Sequence, residues 1–278
     1  FAPLIGFANT WTVKANAVAG IKSSPDCLVT LSDLSINGTN IANLNNCSAV
    51  IGGNLNATNS SMIAINGSGT TSVYNNGSIS CNSCTPAPLK RSGSLPTLPT
   101  VSIPSGLSVV TDANCSSGTC QPGIYNNFLQ LKNGASYTFA SGFYVFNKGI
   151  STNSAIVTSA PNGVTLYIAA NQPIDLSGSL TLSAQATTGC SIGSGVLIYQ
   201  APSTITSMKL AGSKDLLKLD GIVDLPYVDI TISGSSSNLT LYGSLIAHSL
   251  SLNGNMNPSA SDNPCNNFAS NNKVSLVQ

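Results

Sequence analysis

The densest group of side chains that could do chemistry lies between residues 215 and 229. It contains four aspartates and two lysines: Asp215, Asp220, Asp224, Asp229, Lys214 and Lys218. Cleavage of a polysaccharide needs two close carboxylates, or a calcium site with a strong base. The chain has no Glu and one Arg, and Asp224 and Asp229 lie inside strand-like runs. We therefore interpret these aspartates as solvated turn charges or Lys–Asp pairs, and predict that the chain is not an enzyme.

The single histidine, His248, follows the aliphatic run 245–247 and has Ser249 and Ser251 nearby. A Ser-His-Asp triad is formally possible because serine is abundant. The sequence contains no G-x-S-x-G elbow, and Gly193-Ser-Gly195 lacks its spacing. We interpret His248 as a wall or surface histidine and predict no catalytic residue.

The chain has eight cysteines, at Cys27, Cys47, Cys81, Cys84, Cys115, Cys120, Cys190 and Cys265. Zinc at Cys81-x-x-Cys84 would need a second ligand pair at short spacing, and the other close pair has four residues between its members. An even number of cysteines in a chain with few charges favours an oxidising compartment. We predict a secreted or cell-surface protein without metal or cofactor, with disulfides Cys27–Cys47, Cys81–Cys84, Cys115–Cys120 and Cys190–Cys265.

Two further kinds of residue bear on surface ligands. Tyr167, Tyr199 and Tyr242 end apolar runs, where we expect the ring to pack and the hydroxyl to stay in water. Sequons that would allow glycosylation in a suitable host occur at Asn37, Asn46, Asn56, Asn59, Asn66, Asn76, Asn114 and Asn238. An ice-binding surface would need regularly spaced threonine ranks, and the threonine spacing in the sequence is irregular.

The overall composition excludes several classes of protein. Charged residues are 7% of the chain and the net charge is +1, so nothing marks a nucleic-acid partner. No segment approaches the run of about 18 apolar residues that spans a membrane. Ser, Thr, Asn and Gly must cover the surface, and these residues disfavour long helices.

Short β-rich runs separated by Asn-Gly and Ser-Gly turns predict an all-β fold. A unit of aliphatic residue, small residue, Gly and polar residue recurs at 36–39, 65–68, 176–179, 210–213, 232–235 and 252–255. Its last three copies are 22 and 20 residues apart, which suggests one coil of a solenoid. We predict a right-handed parallel β-helix, stapled by disulfides, with few or no helices.

Proline cannot donate to a ladder, and residues 81–107 hold five of the fourteen prolines. We therefore predict a Pro-rich connector at 81–107 between an N-terminal solenoid portion, 22–80, and a C-terminal solenoid, 108–255. Residues 1–21 are an apolar segment, a donor strand or the remnant of an anchor, and 256–278 form a tail.

Two stretches together resemble the extracytoplasmic part of TadG-like proteins, which are associated with Flp (Tad) pilus assembly. The first is Cys27-LVTLSDLSINGTNIANLNN-Cys47 followed by the Pro-rich passage. The second runs through Cys120-QPGIY, Gly142-FYVFNKG, Gly163-VTLYIAA, Gly195-VLIYQ, Gly221-IVDLP and Gly243-SLIAHSLSLNGN. The matches cover residues 27–255, and we expect the family's N-terminal membrane helix to be absent or reduced to residues 1–21, so the resemblance does not imply membrane anchoring. The resemblance implies a surface or pilus-linked role and transfers no catalytic residue.

These observations predict a non-catalytic extracellular structural or adhesive protein, either pilus-associated or the self-assembling subunit of a surface filament. Assembly would use Phe1–Ile21 to complete a neighbour's sheet. The expected partners are further copies, pilus machinery or surface glycans, with no nucleic acid. The alternative is a carbohydrate-active β-helix enzyme or a glycan-binding surface domain.

Overall fold

The computed structural model of this chain is a parallel β-solenoid of about nine turns. It describes residues 25–58, 60–98, 100–111, 115, 118–186, 195–210, 216–234, 238–254 and 259–261. Every strand pairing within these ranges is parallel, and no α-helix occurs in them. The prediction of an all-β parallel solenoid with few or no helices is confirmed.

Each coil crosses three faces. The strap face, named for the segment that covers it, contains β1 (Asp26–Thr30), β4 (Ser48–Ile51), β7 (Thr71–Val73), β9 (Leu89–Lys90), β10 (Val109–Val110), β12 (Gly123–Tyr125), β15 (Gly142–Phe146), β18 (Val164–Ile168) and β21 (Val196–Gln200). The second face contains β2 (Leu34–Ile36), β5 (Leu55–Ala57), β8 (Ile79–Cys81), β13 (Leu129–Gln130), β16 (Ile150–Ser151), β19 (Ile174–Asp175) and β22 (Thr206–Leu210). The threonine face contains β3 (Ile41–Asn45), β6 (Met62–Asn66), β11 (Thr119–Cys120), β14 (Ser136–Phe139), β17 (Ala155–Ser159), β20 (Gly178–Ser183) and β25 (Ser259–Ser261).

Two long strands, β23 (Leu216–Gly234) and β24 (Asn238–Gly254), cross all three faces in turn. They bend from the threonine face to the strap face at Gly221 and Gly243, which are register partners with φ of 136° and 141°. Glycine adopts this conformation without a steric cost. A Cβ on Gly221 would also come within 2.6 Å of the Ala184 side chain, so this corner requires glycine.

The coils do not stack in sequence order. Along the strap face the strands run β10, β12, β15, β18, β21, β23, β24, β1, β4, β7 and β9. Leu28 therefore pairs with Leu245 on one side and with Ala49 on the other. The two portions that the sequence divides at its Pro-rich passage thus form one continuous solenoid, with the N-terminal coils stacked on the C-terminal ones.

At one place along the solenoid, which we call the junction, the coils of the C-terminal part meet the coils of the N-terminal part. There β25 lies between β24 and β3 on the threonine face, and β1 continues the coil on the strap face. Pro25 and Ser261 therefore both lie midway along the solenoid. Residues 1–24 and 262–278 lie outside the described residues.

Residues 91–108, which we call the strap, run back from the coil of β9 to that of β10. Ten strand spacings of about 4.8 Å separate these coils, about 48 Å in all. Eighteen residues of polyproline II chain reach about 56 Å, enough to cover this distance. Leu95, Leu98 and Val101 are partly buried, whereas Ser94, Thr97 and Thr100 are exposed, and this spacing matches the three residues per turn of polyproline II.

The strap packs on outward-facing side chains of the strap face. Arg91 N–H donates to the Val73 carbonyl at 2.8 Å, while Leu95 and Leu98 pack against a buried apolar cluster. That cluster consists of Val29, Val50, Tyr74, Ile222 and Ile246. The Pro-rich connector is thus a structured element that covers one side of the solenoid.

The inward side chains form one apolar core along the axis. Leu210, Ile232, Leu252 and Ile36 are successive register partners at the end of the second face. The repeated unit in these four copies therefore returns to one corner, as the sequence predicts. At the β10 end the core is aromatic, with rings of Tyr125, Tyr144, Phe139 and Phe146 in contact.

Three of the predicted disulfides are present: Cys27–Cys47, Cys81–Cys84 and Cys115–Cys120. The first spans the coil at the junction, and the other two lie in the coils at opposite ends. Since each coil contacts only its neighbours, these are the places where the winding has least support. Cys190 and Cys265 lie outside the described residues.

Candidate functional site

The aspartates that are close in sequence are separated in the structure. Asp220 projects outward from the threonine face, where it pairs with Ser183 and Tyr242. Asp224 lies on the strap face, opposite Tyr199 and Ile246, and Asp229 lies on the second face opposite Ser249. Asp215 and Lys214 lie outside the described residues. The three described carboxylates therefore do not share a site, whereas glycoside hydrolysis by paired carboxylates requires that they do.

His248 and Ser249 both contact Asp229. The His248 Nδ1 is 2.7 Å from Asp229 Oδ1, and the Ser249 hydroxyl donates to the same oxygen at 2.5 Å. Partial burial raises the pKa of Asp229, but these two hydrogen bonds and the charge of His248 outweigh it and hold the pKa below its usual value. In a Ser-His-Asp triad the serine bonds to the histidine, and the histidine bonds to the aspartate. Here Ser249 bonds directly to Asp229, so these three residues do not form a triad. Ser251 lies two residues further on the same face and donates no hydrogen bond to His248 in the described structure.

Asp224 is fully buried beneath the strap. No hydrogen-bond partner reaches either of its carboxylate oxygens among the described residues. Burial raises its pKa from 3.8 to about 7, because an unpaired carboxylate loses its hydration there. Asp224 therefore gains or loses its proton near neutral pH while it is buried between the strap and the strap face.

The three tyrosines that end apolar runs have different environments. Tyr199 is 8% exposed, its ring is 5.3 Å from that of Tyr167, and its hydroxyl forms a hydrogen bond with the Val101 backbone. Its hydroxyl therefore lies against the strap. Tyr242, in contrast, is 43% exposed on the threonine face.

The structure aligns threonines that are irregularly spaced in the sequence. One outward column of the threonine face runs through successive register partners: Thr119, Thr138, Thr158, Thr181, Lys218, Thr240, Ser259, Asn43 and Ala64. Neighbouring members lie one strand spacing apart, about 4.8 Å, and the hydroxyls of Thr138 and Thr158 are 3.2 Å apart. Irregular spacing in the sequence therefore does not exclude a ranked threonine surface, contrary to our expectation.

A second outward column, two residues along each strand, contains Ser183, Asp220, Tyr242, Ser261, Asn45 and Asn66. Between the two columns lies an open groove of about 430 Å³. Its walls are formed by Thr181, Ser183, Lys218, Asp220, Thr240 and Tyr242. No sequence motif marks this groove, because its residues come from three separate strands.

The sequons occupy varied positions. Asn46, Asn56, Asn66 and Asn76 are exposed. Asn37 is partly buried, and its side-chain amide donates to Asn253 at 2.8 Å. Asn59, Asn114 and the side chain of Asn238 lie outside the described residues.

Two further features of the described part of the chain bear on its function. No group of three or more His, Cys, Asp or Glu side chains there could hold a metal ion. The same residues contain no helix long and apolar enough to cross a membrane. Comparisons with protein-family models, with curated proteins and with solved structures found no match to this chain.

Proposed function

We propose that this chain is a non-catalytic extracellular adhesive protein of a bacterial surface, either associated with a pilus or the self-assembling subunit of a surface filament. The observation that supports this most is the threonine face. It carries two long outward columns of hydroxyl and amide side chains on a rigid parallel sheet. Such a surface can contact an extended target at many points without rearranging.

The disulfides favour the extracellular location. Three of them link described cysteines, and cytosolic thiols are normally kept reduced. The resemblance to TadG-like proteins points to the same compartment and supplies the suggested link to pili.

The ends of the solenoid offer a route to self-assembly. Within the described residues β9 pairs only with β7, and β10 only with β12. Among the described residues each therefore has one edge that no strand pairs, and such an edge can accept an added strand. We propose that Phe1–Ile21 of one copy occupies such an edge of another.

Two measurements on the intact chain test this function. Beads coated with the protein should adhere to bacterial or host surfaces more strongly than beads coated with the reduced, unfolded chain. Electron microscopy of the native material should show fibres with a fixed axial repeat if the chain is a filament subunit, and single rods if it is an accessory component. No adhesion together with no assembly would contradict the proposal.

A further inference from the structure

We infer that the groove between the two outward columns of the threonine face binds an extended, uncharged polysaccharide, with Tyr242 as its stacking platform. This inference rests on the proposed adhesive function and names the class of its target.

The groove combines the side chains that sugar recognition needs. Tyr242 offers an exposed ring, and an aromatic ring presents an apolar face to the C–H face of a pyranose while its hydroxyl stays polar. Asp220 has one carboxylate oxygen, Oδ1, buried, and its other oxygen can accept a hydrogen bond from a sugar hydroxyl, while Lys218 can donate to ring or hydroxyl oxygens. The hydroxyls of Thr181, Ser183 and Thr240 can do both.

The charges of the groove indicate an uncharged target. Its lining has one cation, Lys218, and one anion, Asp220. Acidic polysaccharides and nucleic acids are bound by clusters of Arg and Lys, and both neighbouring columns continue with Ser and Asn instead. A neutral polymer is therefore the best match.

The repeat of the sheet indicates an extended chain rather than a single sugar. The groove crosses β20, β23 and β24, so it spans two strand spacings, about 10 Å. This is close to the length of one disaccharide in an extended β-linked chain. Beyond Tyr242 the same columns continue through Ser259, Ser261, Asn43 and Asn45, which gives further sugars hydroxyl and amide partners.

The groove lies on a rigid part of the sheet, so a ligand can bind there without a rearrangement of the backbone. Inward neighbours Leu182, Leu219 and Leu241 are buried in the core, so the backbone under the groove is fixed. Sites on rigid strands hold their contact groups more accurately than sites on loops. Binding should then cost little conformational entropy.

The test uses purified full chain and three insoluble probes: cellulose, chitin and calcium alginate, of which alginate is anionic. We expect retention on at least one neutral polymer and none above background on alginate. Tyr242→Ala and Asp220→Asn should each weaken that retention roughly tenfold or more, as truncation of a central contact does. Phe128→Ala removes an equally exposed aromatic, 40% exposed, outside the groove and should bind within about twofold of the unchanged chain.

The outcomes separate this inference from the proposed function. If the unchanged chain adheres to surfaces as coated beads but binds none of the neutral polymers, the saccharide assignment is wrong and adhesion stands. Binding that Tyr242→Ala and Asp220→Asn leave unchanged would also overturn the groove. Should Tyr242→Ala fail to fold by circular dichroism, Asp220→Asn and Tyr242→Phe, which should retain most of the stacking, decide the matter. Thermal hysteresis of freezing abolished by Thr158→Lys, without polysaccharide binding, would assign the threonine column to ice instead.

Discussion

Asp224 makes a quantitative prediction about stability and pH. Its pKa is about 7 in the folded chain against an ordinary value of 3.8. Between these values the folded chain binds more protons than the unfolded chain, so the free energy of unfolding must fall as the pH rises. The penalty is absent below about pH 4 and complete above the folded pKa. A shift of about three pKa units corresponds to as much as about 4 kcal/mol.

The change to test is Asp224→Asn, which keeps the shape of the side chain and removes its charge. Near pH 4 the variant and the unchanged chain should unfold at similar urea concentrations. At pH 8 the variant should be more stable by up to about 4 kcal/mol. Urea titrations at intervals from pH 4 to 9, with disulfides intact and fluorescence as the probe, measure the difference directly.

The carboxyl of Asp229 provides a control of opposite sign. Its pKa is lowered, so its contribution is present at neutral pH and lost as the pH falls through the folded pKa. Asp229→Asn should destabilise the neutral protein, by no more than about 1 kcal/mol because the side chain is 43% exposed. If the difference between the unchanged chain and Asp224→Asn does not vary with pH, or has the opposite slope, the burial of Asp224 beneath the strap is not as described.

Three further predictions concern the core, assembly and disulfides. Gln200 is fully buried, and neither polar atom of its side chain has a hydrogen-bond partner among the described residues. Gln200→Met should therefore raise the free energy of unfolding in urea by about 1–3 kcal/mol, whereas Gln130→Met, at an exposed position, should have little effect. Deletion of residues 1–20 should abolish polymerisation, seen by electron microscopy, and leave a folded monomer; persistent polymers would exclude strand donation by this segment. Peptide mapping without reduction should find Cys81 joined to Cys84, since a link from Cys81 to Cys115 would have to join opposite ends of the solenoid.

The residue types along the chain were enough to predict the strands and the corner at the end of the second face. The unit that includes Ile36, Ile232 and Leu252 places an aliphatic residue inward and glycine two residues later, and the structure stacks these copies in register. Such a pattern is local, because it depends only on strand alternation and on the conformations glycine permits. The all-β parallel fold followed from it.

The threonine column could not be read from the sequence because the loops between its strands differ in length. From Thr138 to Thr158 the separation is 20 residues, whereas from Thr181 to Lys218 it is 37. The longer interval contains residues 184–195 between β20 and β21, which lengthen the sequence period although the strands on either side still pair in register. Residues that form one surface are therefore unevenly spaced in the chain.

The aspartates show the reverse effect. Asp220, Asp224 and Asp229 are close in sequence, but β23 turns a corner between each pair. In a strand that stays on one face, alternate residues share a side, so sequence proximity suggested a cluster.

The sequence predicts the strap as a connector, because proline cannot donate a hydrogen bond to a sheet. The course of the strap depends on the order in which the coils stack, which is a tertiary property.

The junction also constrains how the chain can fold. Leu28 pairs with Leu245, a partner 217 residues away, so the edge of β1 that faces β24 has no partner until β24 has been synthesised and has joined its own coils, although the other edge can already pair with β4. Contacts of such long separation slow folding, and until they form, the edges of β1 and β24 are open to pairing with other chains. Refolding of the denatured chain should therefore be slow, and it should yield more aggregate at higher protein concentration, because the early coils can pair with the wrong strand before β24 docks.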